Sequence, residues 1–580
     1  MENEPQLRNP ASDSTSNTSN TTSNTNSRIP PPTFIERRST PTWLKCLAIG
    51  LIGFGIFVRF YQLDQKVYWI DEANSSLRTL GYTKTELIET IFTGEVVTAD
   101  QLQQFQRLSP ERGWDDTWNA LTGTAEHTPL YFLLARAWVG SVGHSVATMR
   151  ALTAILSVLV LPGMYWLCWE LFRSATVGWI ATALVAITPV HFLYAQEARP
   201  YSLLSIWIVL SSALLLRSMS HTGGRNWIGW WSYGLSIAAG LYTQLLFGLV
   251  VIAQGLYVWL MGWSVTEPIE HSGDPVTQPD QASHRARRTR WRHLRSYLIA
   301  AAAALLSLTP WLILLAYSWQ KVQESTRSLS DNLSFNYITD RWALNLNLAF
   351  LSRELGAANL LLVLLTFGAL YFLYRHAPKR AWLFVLLLVG VPFLFLALPD
   401  LALGGRRSLR IRYLFPCFLG IQIAFAYWFA MQAVWAKTWR QQLVRAIGIG
   451  LIAAGVSAGV ASANAVVWWH KSLPRSSYYP PVAAIINQAN QTHQPIVLSD
   501  GPVTDTLAFS AWLDPAVKLQ LSLEPRQIKI DKRFDPIYLF NPTEQLQRIM
   551  TRRGYQLTVI YEDRADPTEV ENRLWLAQRP

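Results

Sequence analysis

Apolar stretches about as long as a bilayer is thick recur along this chain of 580 residues, of which 50% are hydrophobic and only 15% are charged. A helix needs roughly 18 or more apolar residues to cross ~30 Å of hydrocarbon, and the stretches reach that length. Soluble proteins rarely combine so large an apolar content with so few charges. The sequence therefore predicts a polytopic α-helical membrane protein.

The net charge of +12 does not indicate a nucleic-acid partner, because the basic residues form short clusters between apolar stretches. Such clusters are typical of cytoplasmic loops, and "RARRTRWRHLR" (285–295) is the most basic of them. Placing them inside predicts a protein of the inner (plasma) membrane with a cytoplasmic N-terminus and an extracytoplasmic C-terminus. About eleven spans are then predicted, at 44–60, 150–171, 177–195, 201–217, 229–245, 247–263, 297–317, 358–374, 382–398, 413–434 and 446–467.

Three regions follow from composition. Residues 1–40 are rich in Asn, Ser, Thr and Pro and predict a disordered cytoplasmic tail. Residues 41–468 form the transmembrane module. After that module the apolar density falls, and short alternating stretches over 469–580 predict a small α/β domain on the outer face.

The first outer loop, residues 61–149, is long and acidic. Within it, "PLYFLLARAWVGSVG" (129–143) is apolar but short, and Arg136 interrupts it. We therefore predict a helix lying at the interface and not a span.

An acidic pair, Asp71 and Glu72, begins this loop in "VYWIDEANSSLRT". An ordinary solvated pair is one interpretation. The apolar neighbours favour another, in which burial raises a carboxylate pKa and makes a useful general base beside the bilayer.

A second polar group is "QEARPY", at the outer end of one predicted span. Glu197 and Arg199 form a charged pair at a membrane boundary, on the same side as the acidic pair. Pro200 breaking the helix, with polar residues facing headgroups, is the simpler interpretation. The neighbouring candidates for a substrate cavity are Tyr194, Gln196 and Tyr201. Two weaker candidates are His127 in "EHTPLYF" and the turn residues Tyr242 and Gln244.

A third group, "GGRRSLRIRYLFP" (404–416), places four arginines outside, against the positive-inside trend. Guanidinium groups suit phosphate, so an anionic partner at the outer leaflet is indicated, with general headgroup contact as the alternative. The arginines are Arg406, Arg407, Arg410 and Arg412.

At these residues the chain resembles the GT-C glycosyltransferases, specifically the family 39-like protein mannosyltransferase and aminoarabinose transferase enzymes. The resemblance rests on the order of an outer-loop "DE", "HTPLYF", "MRALTAILSVL", "QEARPYSLL" and "RYLFP" over residues 44 to 420. The usual proline pair of the second motif is here Thr128-Pro129.

The resemblance implies a hexosyl- or pentosyltransferase that moves a sugar from a polyprenyl-phosphate carrier to an acceptor protein, lipid or glycan outside. Asp71 would be the general base with Glu72 beside it at the acceptor. Arg199, Arg410, Arg412 and Tyr413 would contact the donor phosphate. A single displacement would invert the anomeric carbon.

Two other functions stay open at this point. Many spans with boundary charges also suit a transporter or lipid flippase, which predicts inverted repeats and ionisable groups near mid-membrane. An inactive scaffold for polysaccharide assembly is the third. No cofactor is predicted, and two carboxylates alone are a weak signature of a divalent cation, which stays a hypothesis.

Overall fold

A computed structural model describes residues 39–220, 226–263, 279–326, 333–471, 476–531, 533–562 and 572–579. The predicted disordered tail therefore lies outside the described residues, except for Ser39 and Thr40.

Helices dominate the described chain up to residue 471. The first half contains α1 (Thr42–Phe60), α2 (Ile70–Thr79), α3 (Lys84–Ile91), α4 (Ala99–Gln103), α5 (Trp114–Thr122), α6 (Leu130–Val142), α7 (Val146–Phe172), α8 (Ala175–Ile187), α9 (Pro189–Ala195), α10 (Tyr201–Ser220), α11 (Trp227–Thr243) and α12 (Gly248–Trp263). The second half contains α13 (Pro279–Tyr317), α14 (Trp319–Thr326), α15 (Phe335–Leu351), α16 (Asn359–His376), α17 (Lys379–Leu403), α18 (Phe415–Gln432) and α19 (Trp439–Asn464).

Eight helices within the described residues are long and apolar enough to cross a membrane, or nine if the bent pair α8 and α9 is one span. Of the other predicted spans, 229–245 corresponds to α11, which has 17 residues, and 247–263 to α12, which has 16. The polytopic helical fold is thus confirmed, while the count of eleven stays a prediction. The predicted interfacial segment forms α6, a shorter apolar helix of 13 residues.

The predicted span 177–195 is broken at Pro189, where α8 and α9 meet at 55°. Proline has no N–H, so the carbonyl of Val185 loses its helical donor. Fully buried Arg59 of α1 replaces it, since Nη2 donates to Val185 O at 3.1 Å and Nη1 to Ala186 O at 2.6 Å. The break directs α9 toward the Gln196–Pro200 turn.

Beyond residue 476 the predicted α/β structure is present. Its helices are α20 (Tyr479–Thr492), α21 (Val503–Ser510) and α22 (Glu544–Arg552). Its strands are β2 (Ile496–Ser499), β3 (Lys518–Ser522), β4 (Ile537–Phe540), β5 (Gln556–Glu562) and β6 (Arg573–Gln578). The central strand β2 is parallel to β3 and to β4, and the antiparallel pair β5–β6 extends the sheet.

The sixth strand of this sheet comes from the long loop between α1 and α7. β1 (Thr93–Thr98) pairs antiparallel with β3, giving the order β1-β3-β2-β4-β6-β5. The loop and the C-terminal part also share one apolar core, in which Leu77 of α2 packs with Leu507 of α21. The domain boundary at 469 accordingly stays a prediction, because the sheet is built from both regions.

Candidate active site

Helix α2 carries the acidic pair into the fold. Asp71 and Glu72 lie in its first turn, where the free N–H groups and the helix dipole favour negative charge. The helix ends because Gly81 adopts a φ of +83°, which allows Tyr82 N to donate to Leu77 O at 2.9 Å. Both carboxylates are therefore held at a fixed helix end.

Asp71 contacts two arginines from distant parts of the chain. Arg412 donates from Nη1 to Asp71 Oδ2, and Nη2 of Arg199 lies 3.6 Å from the same oxygen. Arg199 also donates from Nη1 to Ser75 Oγ at 3.0 Å, which orients it along α2. The side chain of Asp71 is 23% exposed, so it remains within reach of a bound molecule.

These contacts set the protonation state of Asp71. Burial by itself would raise the pKa of this carboxyl, but Arg412 and Arg199 outweigh burial and hold the pKa well below its usual range. This is opposite to the raised pKa expected from the sequence, because the sequence does not show that the arginines pack against the pair.

Glu72 lies in a separate and fully buried ion-pair cluster. Arg150 of α7 binds it through Nε and Nη2, each at 2.7 Å, and Lys471 donates from Nζ at 2.9 Å. The backbone N of Ala198 adds a fourth donor at 3.0 Å. Burial favours the neutral form, but Arg150 and Lys471 outweigh it and lower the pKa of Glu72. Glu72 is thus an ionised carboxylate whose acceptor positions are filled.

The turn between α9 and α10 holds Arg199 in place. Gln196 donates from Nε2 to Val58 O at 2.6 Å and to Tyr61 O at 3.0 Å, which fixes the turn to the end of α1. Glu197 is fully buried, and burial raises its pKa to about 8 despite the nearby Lys471 ammonium. Burial thus favours the protonated form of Glu197.

Aromatic rings form one wall beside Arg199 and Arg412. The Tyr201 ring is stacked on Phe415 with centroids 5.8 Å apart, and the Tyr194 ring meets Phe415 edge-on at 5.3 Å. The Arg412 guanidinium lies 5.9 Å from the centroid of the Tyr413 ring. Three of the predicted cavity and donor residues are thus gathered around the arginines.

The loop carrying the arginines is fixed by a buried carboxylate. Asp400, at the end of α17, accepts from Ser408 N at 2.6 Å and Ser408 Oγ at 2.8 Å. Asn345 of α15 donates to Leu409 O at 2.8 Å. Burial and the positive charge of Arg412 lower the pKa of Arg410, as expected where guanidinium groups crowd. A bound anion would relieve this repulsion.

His127 belongs to the same electrostatic environment. Its backbone N donates to Thr124 O at 3.0 Å, and its ring lies edge-on to Phe132. Burial and the positive charges of Arg78 and Arg199 lower the pKa of His127 well below its usual value. The imidazole is therefore neutral at physiological pH.

Tyr242 and Gln244 lie apart from these groups, at the end of α11. Tyr242 donates from its hydroxyl to Ser307 O of α13 at 2.5 Å. Within the described ranges, no hydrogen bond or ion pair joins either residue to the Asp71 carboxylate or its arginines. Their place in the substrate cavity stays a prediction.

Across the part of the chain that the structure describes, no group of three or more His, Cys, Asp and Glu side chains could hold a metal ion. The carboxylates of Asp71 and Glu72 are each bound by cationic side chains instead. A divalent cation at this pair stays a hypothesis.

Sequence reasoning did not assign a role to Arg150 or Lys471. Arg150 follows Met149 in "MRALTAILSVL", and a charged residue at the start of an apolar span was the available signal. Lys471 follows "VVWWH", where nothing in the sequence relates it to Glu72, 399 positions away.

The described chain combines membrane-length helices, a long first loop with an acidic pair, and a C-terminal α/β sheet that includes a strand of that loop. Residues 132–324 match the family model described as dolichyl-phosphate-mannose-protein mannosyltransferase. The resemblance expected from the sequence is confirmed. No curated protein matches the sequence significantly.

Solved structures are similar to this chain at low identity. ArnT from Cupriavidus metallidurans bound to undecaprenyl phosphate is 12% identical with a TM-score of 0.50, covering 92% of this chain and 98% of that chain. Its apo state is 12% identical with a TM-score of 0.48, and the same shares of the two chains are covered. AglB from Archaeoglobus fulgidus, in complex with an inhibitory peptide and a dolichol-phosphate, gives 11% and 0.42, covering 92% of this chain and 74% of that chain.

Proposed function

We propose that this protein is a membrane glycosyltransferase that moves a sugar from a polyprenyl-phosphate-linked donor to an acceptor on the outer face. The observation that carries the proposal is that Asp71, a partly exposed carboxylate, is bound by Arg199 and Arg412 from two helix boundaries. The reaction needs a group that binds the donor phosphate next to a general base. Arg199 and Arg412 can bind the phosphate, and Asp71 can act as the base. The ArnT structure with the same fold holds undecaprenyl phosphate.

Donor binding changes the partners of Asp71 in this mechanism. Phosphate oxygens compete for the guanidinium donors of Arg199 and Arg412, which bind phosphate as readily as carboxylate. As the arginines turn to the phosphate, Asp71 loses their stabilisation and its pKa rises toward the ordinary value. The base therefore becomes stronger only when a donor is present.

The transfer is a single displacement. The acceptor hydroxyl gives its proton to an Asp71 carboxylate oxygen while its oxygen forms a bond to the anomeric carbon. The bond from that carbon to the phosphate oxygen breaks, and its electron pair stays on the polyprenyl phosphate. The arginines stabilise the added negative charge, and the anomeric configuration inverts.

Glu72 has a different part in this proposal. Its oxygens already accept from Arg150, Lys471 and Ala198. A carboxylate with its acceptor positions filled and no exposed surface is poorly suited to take a substrate proton. We assign Glu72 to positioning and Asp71 to catalysis.

The rival function, a transporter or flippase, would use ionisable groups inside the membrane. Two buried examples are Arg59 of the membrane-length helix α1 and His191 of α9, the short second half of the bent pair. Arg59 binds helix carbonyls, and His191 shares a 2.9 Å hydrogen bond with Gln422. Both contacts join neighbouring helices, and neither indicates a path for a substrate.

The test uses the purified full chain with a panel of undecaprenyl-phosphate-linked hexoses and pentoses, measuring sugar transfer or release. Asp71→Asn should lower turnover by about 100-fold or more, the usual contribution of a general base, while undecaprenyl phosphate still binds. Arg199→Ala should weaken that binding. Asp115→Asn, an exposed carboxylate of the same loop, is the matched control.

Equal turnover by wild type and Asp71→Asn would overturn the assignment of the base. A product that retains its anomeric configuration by NMR would overturn the single displacement. Movement of the lipid across vesicle membranes without any sugar transfer would favour the flippase.

A further inference from the structure

The chain returns to the first outer loop immediately after its last membrane-length helix. Residues 465–471, here called the linker, join α19 to the C-terminal α/β part. Val67 N donates to Val466 O of the linker at 2.8 Å, and Lys66 donates from Nζ to Ala465 O at 3.1 Å. The linker is therefore attached to the residues that lead into α2.

The linker ends at a buried lysine. Lys471 is fully buried, and its Nζ lies 2.9 Å from Glu72 Oε2. Its backbone N donates to Trp468 O at 3.0 Å, and its carbonyl accepts from Ser476 Oγ at 2.7 Å. An ammonium group out of water is unfavourable unless it is paired, so this position is specified by Glu72.

The linker also contacts the end of α15 and the aromatic wall. The indole N–H groups of Trp468 and Trp469 lie 3.4 and 3.2 Å from Ser352 Oγ at the end of α15. The Trp469 ring is 6.4 Å from Tyr194, which belongs to the aromatic wall beside Arg412. One short segment thus touches both the acidic pair and the surroundings of the arginines.

We propose that Lys471 is a positioning residue for Asp71. Because Asp71 and Glu72 are neighbours in a helix, their side chains are about 100° apart around its axis. Fixing Glu72 between Arg150 and Lys471 sets the rotation of α2, and this rotation directs Asp71 toward Arg199 and Arg412. The linker thereby joins the position of the C-terminal α/β part to the geometry of the site. This inference rests on the proposed function for its catalytic consequence.

The first measurement needs no substrate. Amide hydrogen exchange of α2 is compared among the full-length wild type, Lys471→Met, Lys471→Arg and Lys529→Met, the last an exposed lysine of the C-terminal part. Lys471→Met should exchange faster in α2, while Lys471→Arg and Lys529→Met should match the wild type. Unchanged exchange in Lys471→Met would overturn the inference.

The second measurement is turnover of the donor that the wild type uses. Lys471→Met should lower kcat by about 100-fold, the effect of a misplaced catalytic group, with the KM for donor little changed. Lys471→Arg should recover most of kcat. A loss confined to KM, or a full loss that Lys471→Arg does not recover, would overturn the positioning role.

Lys66→Met provides a second route if Lys471→Met does not fold. It removes the hydrogen bonds that Nζ of Lys66 donates to Ser462 O and to Ala465 O of the linker without removing a contact of Glu72, and it should also speed exchange in α2. No acceleration in a folded Lys66→Met protein would contradict the proposal. If the wild type turns over no donor, the proposed function fails, and hydrogen exchange alone decides whether the linker orders α2.

Discussion

Arg412 donates to Asp71 across 341 positions of sequence, from the short turn before α18 to the first turn of α2. The same guanidinium faces the tyrosines of the aromatic wall. In the proposed reaction it binds the donor phosphate and, before that, stabilises the base. Replacing Arg412 should therefore change both donor binding and the pKa of Asp71.

Arg412→Ala should impair donor binding and the chemical step together. Loss of the guanidinium removes a phosphate contact and one of the two cations beside Asp71, and hydrogen bonds to charged groups contribute about 1.5–3 kcal/mol each. Binding of undecaprenyl phosphate should weaken by about 10- to 100-fold, measured by titration. Arg407→Ala, whose side chain binds Asp400 instead, should have the smaller effect on affinity. An unchanged affinity in Arg412→Ala would contradict the donor role.

The pH dependence of kcat/KM should have no acid limb from Asp71 in the neutral range. A carboxyl whose pKa is lowered in the folded protein stays ionised above its unfolded value of about 3.9, and that advantage is lost only as the pH falls through the folded value. We expect a constant kcat/KM down to about pH 4. Arg412→Ala should move the limb to higher pH. An identical limb in both proteins would show that Asp71 is not the titrating base.

Glu72→Ala should destabilise the protein strongly, because it leaves Arg150 and Lys471 buried without their carboxylate. Breaking a buried pair by removing one partner costs about 3–5 kcal/mol. Glu72→Gln should lose less stability than Glu72→Ala, since the amide oxygen of glutamine still accepts a hydrogen bond. Thermal unfolding in detergent measures both, with Glu89→Ala as an exposed control. Equal stability of all three variants would contradict the ion-pair cluster.

Arg59→Met should also lower the unfolding temperature, because the carbonyls of Val185 and Ala186 lose their donors at the α8–α9 break. A buried group left without a partner costs about 1–3 kcal/mol. Exposed Arg353→Met is the control. Pro189→Ala restores an N–H for Val185 O, so Arg59→Met should cost less in that background. Additive losses in the double variant would show that the break does not depend on Arg59.

The C-terminal piece 469–580 should not fold stably when produced alone. It lacks β1, which covers the edge of β3, and it lacks α2, which packs on α21. An open strand edge and an exposed apolar face promote aggregation. Circular dichroism and size-exclusion chromatography should show an unfolded or aggregated piece. A monomeric, cooperatively folding piece would support the domain boundary predicted from composition.

Local sequence accounts for much of the membrane part. The apolar stretches predicted helices at α1, α7, α10 and α16 to α19, because length and hydropathy depend only on neighbouring residues. The break inside 177–195 was not predicted, since a proline can also be accommodated in a continuous span. Only the folded structure shows the break, where Arg59 binds the carbonyls of Val185 and Ala186.

The candidate site was also only partly predictable from the sequence. The motifs around Asp71, Arg199 and Arg412 were found because charged residues at membrane boundaries are unusual whatever the fold. The structure brings these three together. Glu72 belongs to another cluster, with Arg150 and Lys471, and Tyr242 donates to Ser307 O instead. The motifs could not indicate either contact.

Length and hydropathy identify a multi-span helical membrane protein, and its charges include an acidic pair and several arginines at membrane boundaries, because solvation of single side chains and helix length are local properties. Which carboxylate meets which cation depends on the folded chain. Asp71 and Glu72 are adjacent in sequence, yet helix rotation separates their partners, and the pKa of each depends on charges brought from hundreds of positions away. Coulomb interactions act through space, so only the folded chain distinguishes the carboxylate that can reach a substrate from the one that is buried.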